Sequence, residues 1–218
     1  MASKDDEISV ATAEIVREYG PFPDAERVAG VTYDGQDVWF ATGENLQSFE
    51  PKSGKVKRKL NVRADAGTAF DGRHFYQLAG GSIQKVDPDT GRVVATIPTP
   101  EGGAAGMAWA EGALWVAQHR KRKIHQVDPE TGKILRTIDS NRFVTGVTWV
   151  DGELWHGTWE EEQSELRRID PQSGEVLEQL DMPPGLIVSG LESNGSDTFF
   201  CGGGSSGKVR AIRRPRQS

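Results

Sequence analysis

One carboxylate and two charged loops are the features of this chain best suited to chemistry. Five segments share a pattern: "GVTYDGQDVWFAT" from Gly30, "GTAFDGRHFYQLA" from Gly67, "GMAWAEGALWVAQ" from Gly106, "GVTWVDGELWHGT" from Gly146 and the weaker "GLESNGSDTFFCG" from Gly190. Two residues after the glycine come Thr32, Ala69, Ala108 and Thr148, all small, but the fifth segment puts Glu192 there. A carboxylate among small residues can face a watered channel, bind a cation with backbone carbonyls, or carry a proton. Asp65, just ahead of the second segment, is the other candidate proton carrier.

The charged loops are "QHRKRKIHQ", with His119, Arg120 and Arg122, and "TWEEEQ", with Trp159, Glu160, Glu161 and Glu162. Arg27, Arg63, Asp65, Glu101 and Arg142 lie in the stretches that lead into the glycine segments. Opposite charge on successive loops predicts a contact between them, worth little as a surface ion pair. Arg27, Arg63, His119, Arg120, Arg142, His156, Trp159 and Glu160 form the candidate ligand-binding set. The four histidines show no metal-ligand spacing, and His119 and His125, six apart, could face each other across a hairpin. His156 stands where the other segments carry Phe40, Gln77, Val116 and Phe200, which predicts a buried, satisfied imidazole. "CGGGSSGK" reads as a hairpin, because no helix follows to make it a phosphate loop.

A second repeat fixes the elements that must hold these groups. "SFEPKSGKVKRKL", "KVDPDTGRVVATI", "QVDPETGKILRTI" and "RIDPQSGEVLEQL" follow the first four glycine segments in phase. Asp accepts backbone bonds, Pro presets φ and Gly supplies positive φ, so each is a tight turn between two strands. With the glycine segments, each unit of about 40 residues makes four antiparallel strands, the pattern of a propeller blade. The fifth unit stops one strand short, and 11–20, "ATAEIVREYG", is a strand without a blade. If it completes the last blade the ring closes and no sheet edge is left exposed. The expected fold is an all-β, five-bladed propeller of four antiparallel strands per blade, one domain over 1–218. Its blades fall at about 28–62, 65–99, 104–140, 144–182 and 188–213, plus the strand 11–20. Trp39, Trp115 and Trp155 recur in one place, and Trp109 and Trp149 in another, which marks them as blade packing; Trp159 breaks the pattern.

The net charge of −6 gives no basic surplus for nucleic acid, and the basic tail "RAIRRPRQS" reads as a solvated end. A single cysteine, Cys201, forbids an intrachain disulfide and a cysteine-based zinc site. No apolar run reaches spanning length, so no membrane is expected, and cytoplasm is the default compartment. A trimmed signal peptide would leave the same appearance.

The run 151–177, "DGELWHGTWEEEQSELRRIDPQSGEVL", resembles the plant-type and bacterial glutaminyl cyclotransferases. The resemblance extends over nearly the whole chain in blade number, closure and turn placement; streptogramin-lyase-like propellers use similar wording. It implies a five-bladed ring closed by an N-terminal strand and cyclisation of N-terminal glutamine, which needs a general acid/base and oxyanion donors. The family supplies its carboxylate from a Glu-Gly pair in the second blade, and here that place is Ala66-Gly67. Asp65 is one residue off, which in a strand turns it to the other face. The expectation is a propeller binding a small anionic or peptide-like ligand or a partner protein. The alternative is an enzyme, cyclotransferase or lyase-like, acting at the channel mouth through Glu192 or Asp65 with help from an arginine or a divalent cation.

Overall fold

The computed structural model describes residues 8–215. Two strands, β1 (Ser9–Thr12) and β2 (Ile15–Tyr19), precede the first blade. Blade one holds β3 (Val31–Tyr33), β4 (Val38–Ala41), β5 (Leu46–Phe49) and β6 (Val56–Leu60). Blade two holds β7 (Thr68–Phe70), β8 (Phe75–Ala79), β9 (Ser82–Val86) and β10 (Val93–Pro98). Blade three holds β11 (Met107–Ala110), β12 (Ala113–Gln118), β13 (Lys123–Val127) and β14 (Ile134–Asp139). Blade four holds β15 (Val144–Val150), β16 (Glu153–Glu160), β17 (Gln163–Ile169) and β18 (Val176–Asp181). Blade five holds β19 (Leu191–Ser193), β20 (Thr198–Gly202) and β21 (Val209–Arg213), and β2 pairs antiparallel with β21 to complete it. No helix among the described residues is long and apolar enough to cross a membrane.

The five-bladed ring matches the sequence reading, but the stretch 11–20 is not one strand. Residues 15–19 close the ring, whereas β1 runs parallel to β18 and gives blade four a fifth strand. The chain crosses between the blades at Ala13 and Glu14: the Ala13 amide donates to the Asp181 carbonyl, and the Glu14 carbonyl accepts from Arg213. The tail also departs from a solvated end. Arg210 and Arg214 are buried; Arg210 pairs with Glu18, and Arg214 pairs with Asp151 and Glu153. Arg216 to Ser218 lie outside the described residues.

The core is five layers, each between two neighbouring blades. Trp39, Leu46 and Phe75 join blades one and two, and Tyr76, Leu114 and Val116 join two and three. Trp115, Ile124 and Val147 join three and four, Trp155 and Phe199 join four and five, and Phe40, Phe49 and Phe200 join five to one. Trp39, Trp115 and Trp155 are all buried in these layers, as the repeat predicts. Burying each large side chain contributes about 2–3 kcal/mol. The turns obey their chemistry: in Asp87–Gly91 and Asp128–Gly132 the Asp Oδ1 accepts the Thr hydroxyl and backbone N–H bonds. These bonds hold both carboxyls below the usual range.

At the axis the blades meet through glycine. A methyl group on Gly67 would lie 2.6 Å from the Met107 nitrogen, on Gly106 2.8 Å from Gly146 Cα, and on Gly190 2.7 Å from the Val31 nitrogen. Gly30 packs likewise on Gly67, and Gly146 on Gly190, so the contact runs round the ring and returns to blade one. Blades converge on the axis, and only a residue without Cβ lets five backbones come this close.

Candidate functional site

Two residues past this glycine ring sits Glu192, between blades four and one. Its Oε1 accepts from the Thr148 hydroxyl at 2.6 Å and the Ser193 amide at 2.8 Å, and its Oε2 from the Thr32 hydroxyl at 2.9 Å. The Thr148 hydroxyl in turn accepts from the Ser193 amide at 3.0 Å. Both threonines are fully buried. Glu192 keeps a little accessible surface although protein surrounds it. Burial pushes its carboxyl up to about 7, against the opposing pull of its hydroxyl and amide donors. The carboxylate thus clasps three blades at the seam where the last meets the first. The sequence placed it correctly among small residues; the register that brings Thr32 and Thr148 onto it belongs to the closed ring.

Asp65 is elsewhere. Its Oδ1 accepts from Arg63 Nε at 2.8 Å and its Oδ2 from the Gly80 amide at 2.8 Å. Burial would raise its carboxyl, but these bonds and the charges of Arg63 and Arg27 outweigh it and hold it below the usual range. Arg27 reaches the same corner, donating to the Asp65 carbonyl at 3.1 Å. Ala66 is spent on packing, with its carbonyl accepting from Gln77.

The charged loops converge at the rim of blades three and four, on the face that carries the connections into the inner strands. Arg142 lies between two carboxylates, 2.8 Å from Glu165 through Nη1 and 3.6 Å from Glu160 through Nε. Glu160 also pairs with Arg122. Glu165 continues to Arg167 at 2.7 Å, and Arg167 donates to Asn141 Oδ1 at 2.6 Å. Within this ion-paired set, three guanidiniums and two carboxylates leave one positive charge in excess. The contact expected between the loops exists, but Arg122 and Arg142 make it, and Glu165 and Arg167 carry it into the buried blade interface. Those two and Asn141 were missed in the sequence. The available signal was Arg167 itself, because the equivalent positions, opposite the middle of each second strand, are Gln47, Gln84, His125 and Ala211.

The rest of the rim frames this lattice. His119 stacks against Phe143 at 5.0 Å and its Nδ1 donates to the Val144 carbonyl at 3.2 Å. It does not face His125, whose Nε2 meets Gln118 and whose Nδ1 meets Thr137, each at 2.8 Å. Arg120 is exposed, and Trp159 is half-buried with its amide on the Phe143 carbonyl. His156 is buried as expected; burial, reinforced by Arg167, pushes it down to about 4, so the imidazole is neutral. It lies at the floor of a cleft of about 430 Å³ between blades three and four, shared with Asn141, Ser140 and Ile8. No group of three or more metal-ligating side chains occurs among the described residues.

Glu161 and Glu162, at the tip between β16 and β17, both hold positive φ (53° and 63°). Two consecutive positive φ values in a two-residue hairpin suit Asn-Gly. Replacing the pair with Asn-Gly should raise stability by about 1 kcal/mol, read as a higher midpoint in urea; an unchanged or lower midpoint would count against this turn.

The crystal structure of Myxococcus xanthus glutaminyl cyclase matches 95% of this chain and 98% of its own, with a TM-score of 0.77 and 19% identity. Kuenenia stuttgartiensis hydrazine synthase matches 82% of this chain and 56% of its own, with a TM-score of 0.53 and 18% identity. At such identity the likeness is one of fold, a glutaminyl cyclase-like propeller. No curated protein matches the sequence. A family model described as "Domain of unknown function (DUF5074)" matches residues 52–205, most of the chain, and the protein belongs to that family.

Proposed function

We propose that this chain is a binding propeller that takes a small anionic or peptide-like ligand, or an acidic segment of a partner protein, on the rim of blades three and four. One observation carries the reading: Arg122, Arg142 and Arg167 converge there, and the carboxylates they pair with among the described residues are Glu160 and Glu165. An incoming carboxylate can share Arg142 with its present partners and neutralise the excess charge, and guanidinium presents the planar fork that suits it. His119, Trp159 and the exposed Arg120 would border the ligand. Arg27 and Arg63 lie at a separate corner with Asp65 and have no part in this site.

The test is calorimetric titration with short acidic peptides and their neutral amide counterparts. Binding of the acidic form, weakened about tenfold or more by Arg142→Ala, is the expected result. Equal binding of both forms, or an unaffected Arg142→Ala protein, would refute the assignment.

Catalysis is the second reading, favoured by Glu192, whose raised pKa suits a proton carrier at neutral pH. Against it stand Ala66 at the glutamate place of the glutaminyl cyclotransferases and the four donors that already occupy the carboxylate, the hydroxyls of Thr32 and Thr148 and the amides of Ser193 and Tyr33.

A further inference from the structure

We propose that the cleft between blades three and four, with His156 at its floor, binds a neutral hydroxylated molecule, a cyclic polyol or sugar of about one ring. The cleft holds about 430 Å³, within the range of roughly 300–1,000 Å³ usual for small-molecule sites. His156 is only 1% exposed. Its Nδ1 donates to the Gly157 carbonyl at 3.3 Å, on its own strand, and its Nε2 makes no hydrogen bond among the described residues. Leu154, on the same face of β16, packs in the layer between blades three and four, so the imidazole points that way too. The tip of the ring thus brings a bare acceptor to the floor of the cleft. Buried polar atoms are ordinarily satisfied, by protein or by a guest.

The walls of the cleft select the guest. Nε2 accepts, so the buried end of the guest must carry a donor. Burial and the guanidinium of Arg167, opposite His156 on β17, keep the imidazole from taking up a proton, and the same two causes turn away an ammonium group. A neutral O–H or N–H remains. Asn141 spends its Oδ1 on Arg167, which leaves its amide N–H groups to donate. The Ser140 hydroxyl accepts from the Arg142 amide and has no acceptor for its own proton among the described residues. The guest therefore meets an acceptor at the floor and donors on the wall. An amide offers one group of each kind. A ring with several hydroxyls offers more, in several directions, and lays a C–H face on Ile8, Ile169 and Val176, which line the same cleft. Such a guest carries no carboxylate for Arg142, so this site and the arginine rim can each fail without the other.

The test is a nuclear magnetic resonance titration of the whole chain labelled with nitrogen-15 at histidine, using glucose, galactose and myo-inositol, with acetamide and methylammonium as controls. A hydrogen bond donated to Nε2 moves its nitrogen resonance to lower frequency, and at least one of the ring compounds should do so for His156 in a saturable way. His156→Phe takes the side chain that blades one and five carry at this place, Phe40 and Phe200, so it keeps the packing and removes the acceptor. It should weaken binding of that compound about tenfold or more, read by calorimetry. His156→Gln, with the side chain of Gln77 in blade two, retains an acceptor and should lose less. No response at His156 to any ring compound would leave an ordered water as the guest and overturn the assignment. Tighter binding of acetamide or methylammonium, or binding unchanged in His156→Phe, would overturn it as well.

Discussion

Gly106→Ala should lower stability by about 3–4 kcal/mol, the upper end for overpacking, and the melting temperature by about 10 °C. The added methyl would collide with the Thr145 carbonyl and lie 2.8 Å from Gly146 Cα. Both obstacles are backbone, so neither can swing aside, and relieving them means pushing blade four off the axis. Gly106 has no positive φ, so the loss measures packing and not conformational freedom. Gly112 supplies the control: its φ is +72° but nothing lies within 4 Å of its added methyl, and Gly112→Ala should cost only about 1 kcal/mol. Similar losses in the two variants, read from urea denaturation, would show that the glycine ring is not the axial contact described.

The second large effect is concealed in the native protein and appears on mutation. Glu192 has a folded pKa of about 7, above the ordinary value of 4.5, so between these limits the folded state holds the extra proton. Its contribution to stability therefore grows as pH falls. His156 has a folded pKa of about 4, below the ordinary 6.5, so there the unfolded state holds the extra proton and stability is lost as pH falls. From about pH 7.5 to pH 5 the two contributions are about +2 and −2 kcal/mol and nearly cancel. Glu192→Gln should unmask the histidine slope, with stability falling on acidification. His156→Gln should unmask the glutamate slope, with stability rising, tempered by His125, which burial also pushes down. Chemical denaturation across this range checks both; slopes of the same sign in the two variants would refute the opposition.

What could be read from the sequence follows from where each signal lives. Blade number, closure and turn placement are local and repeated: Asp87, Asp128 and Asp170 each bond within their own turn, so each copy is legible alone. The anomaly of Glu192 was legible because four copies define what is normal at its position. The split of 11–20 between two blades was not, because Val10 pairs with Gln179 while Glu18 pairs with Arg210, and nothing near either residue specifies so distant a partner. Arg167 and Glu165 escaped for a related reason: a charged pair reads as surface until the ring buries it against Arg142 and Asn141. The tail misled in the same way, since Arg214 is held by Asp151 and Glu153 from a different blade.

The central proposal is that this propeller binds a ligand and does not carry out cyclase chemistry. The most direct test is ammonia release from a short peptide with N-terminal glutamine, measured for the native protein, for Glu192→Gln and for the peptide alone. The account predicts that all three release ammonia at the same spontaneous rate. Turnover by the native protein that disappears in Glu192→Gln would contradict it and make this axial carboxylate a catalytic residue.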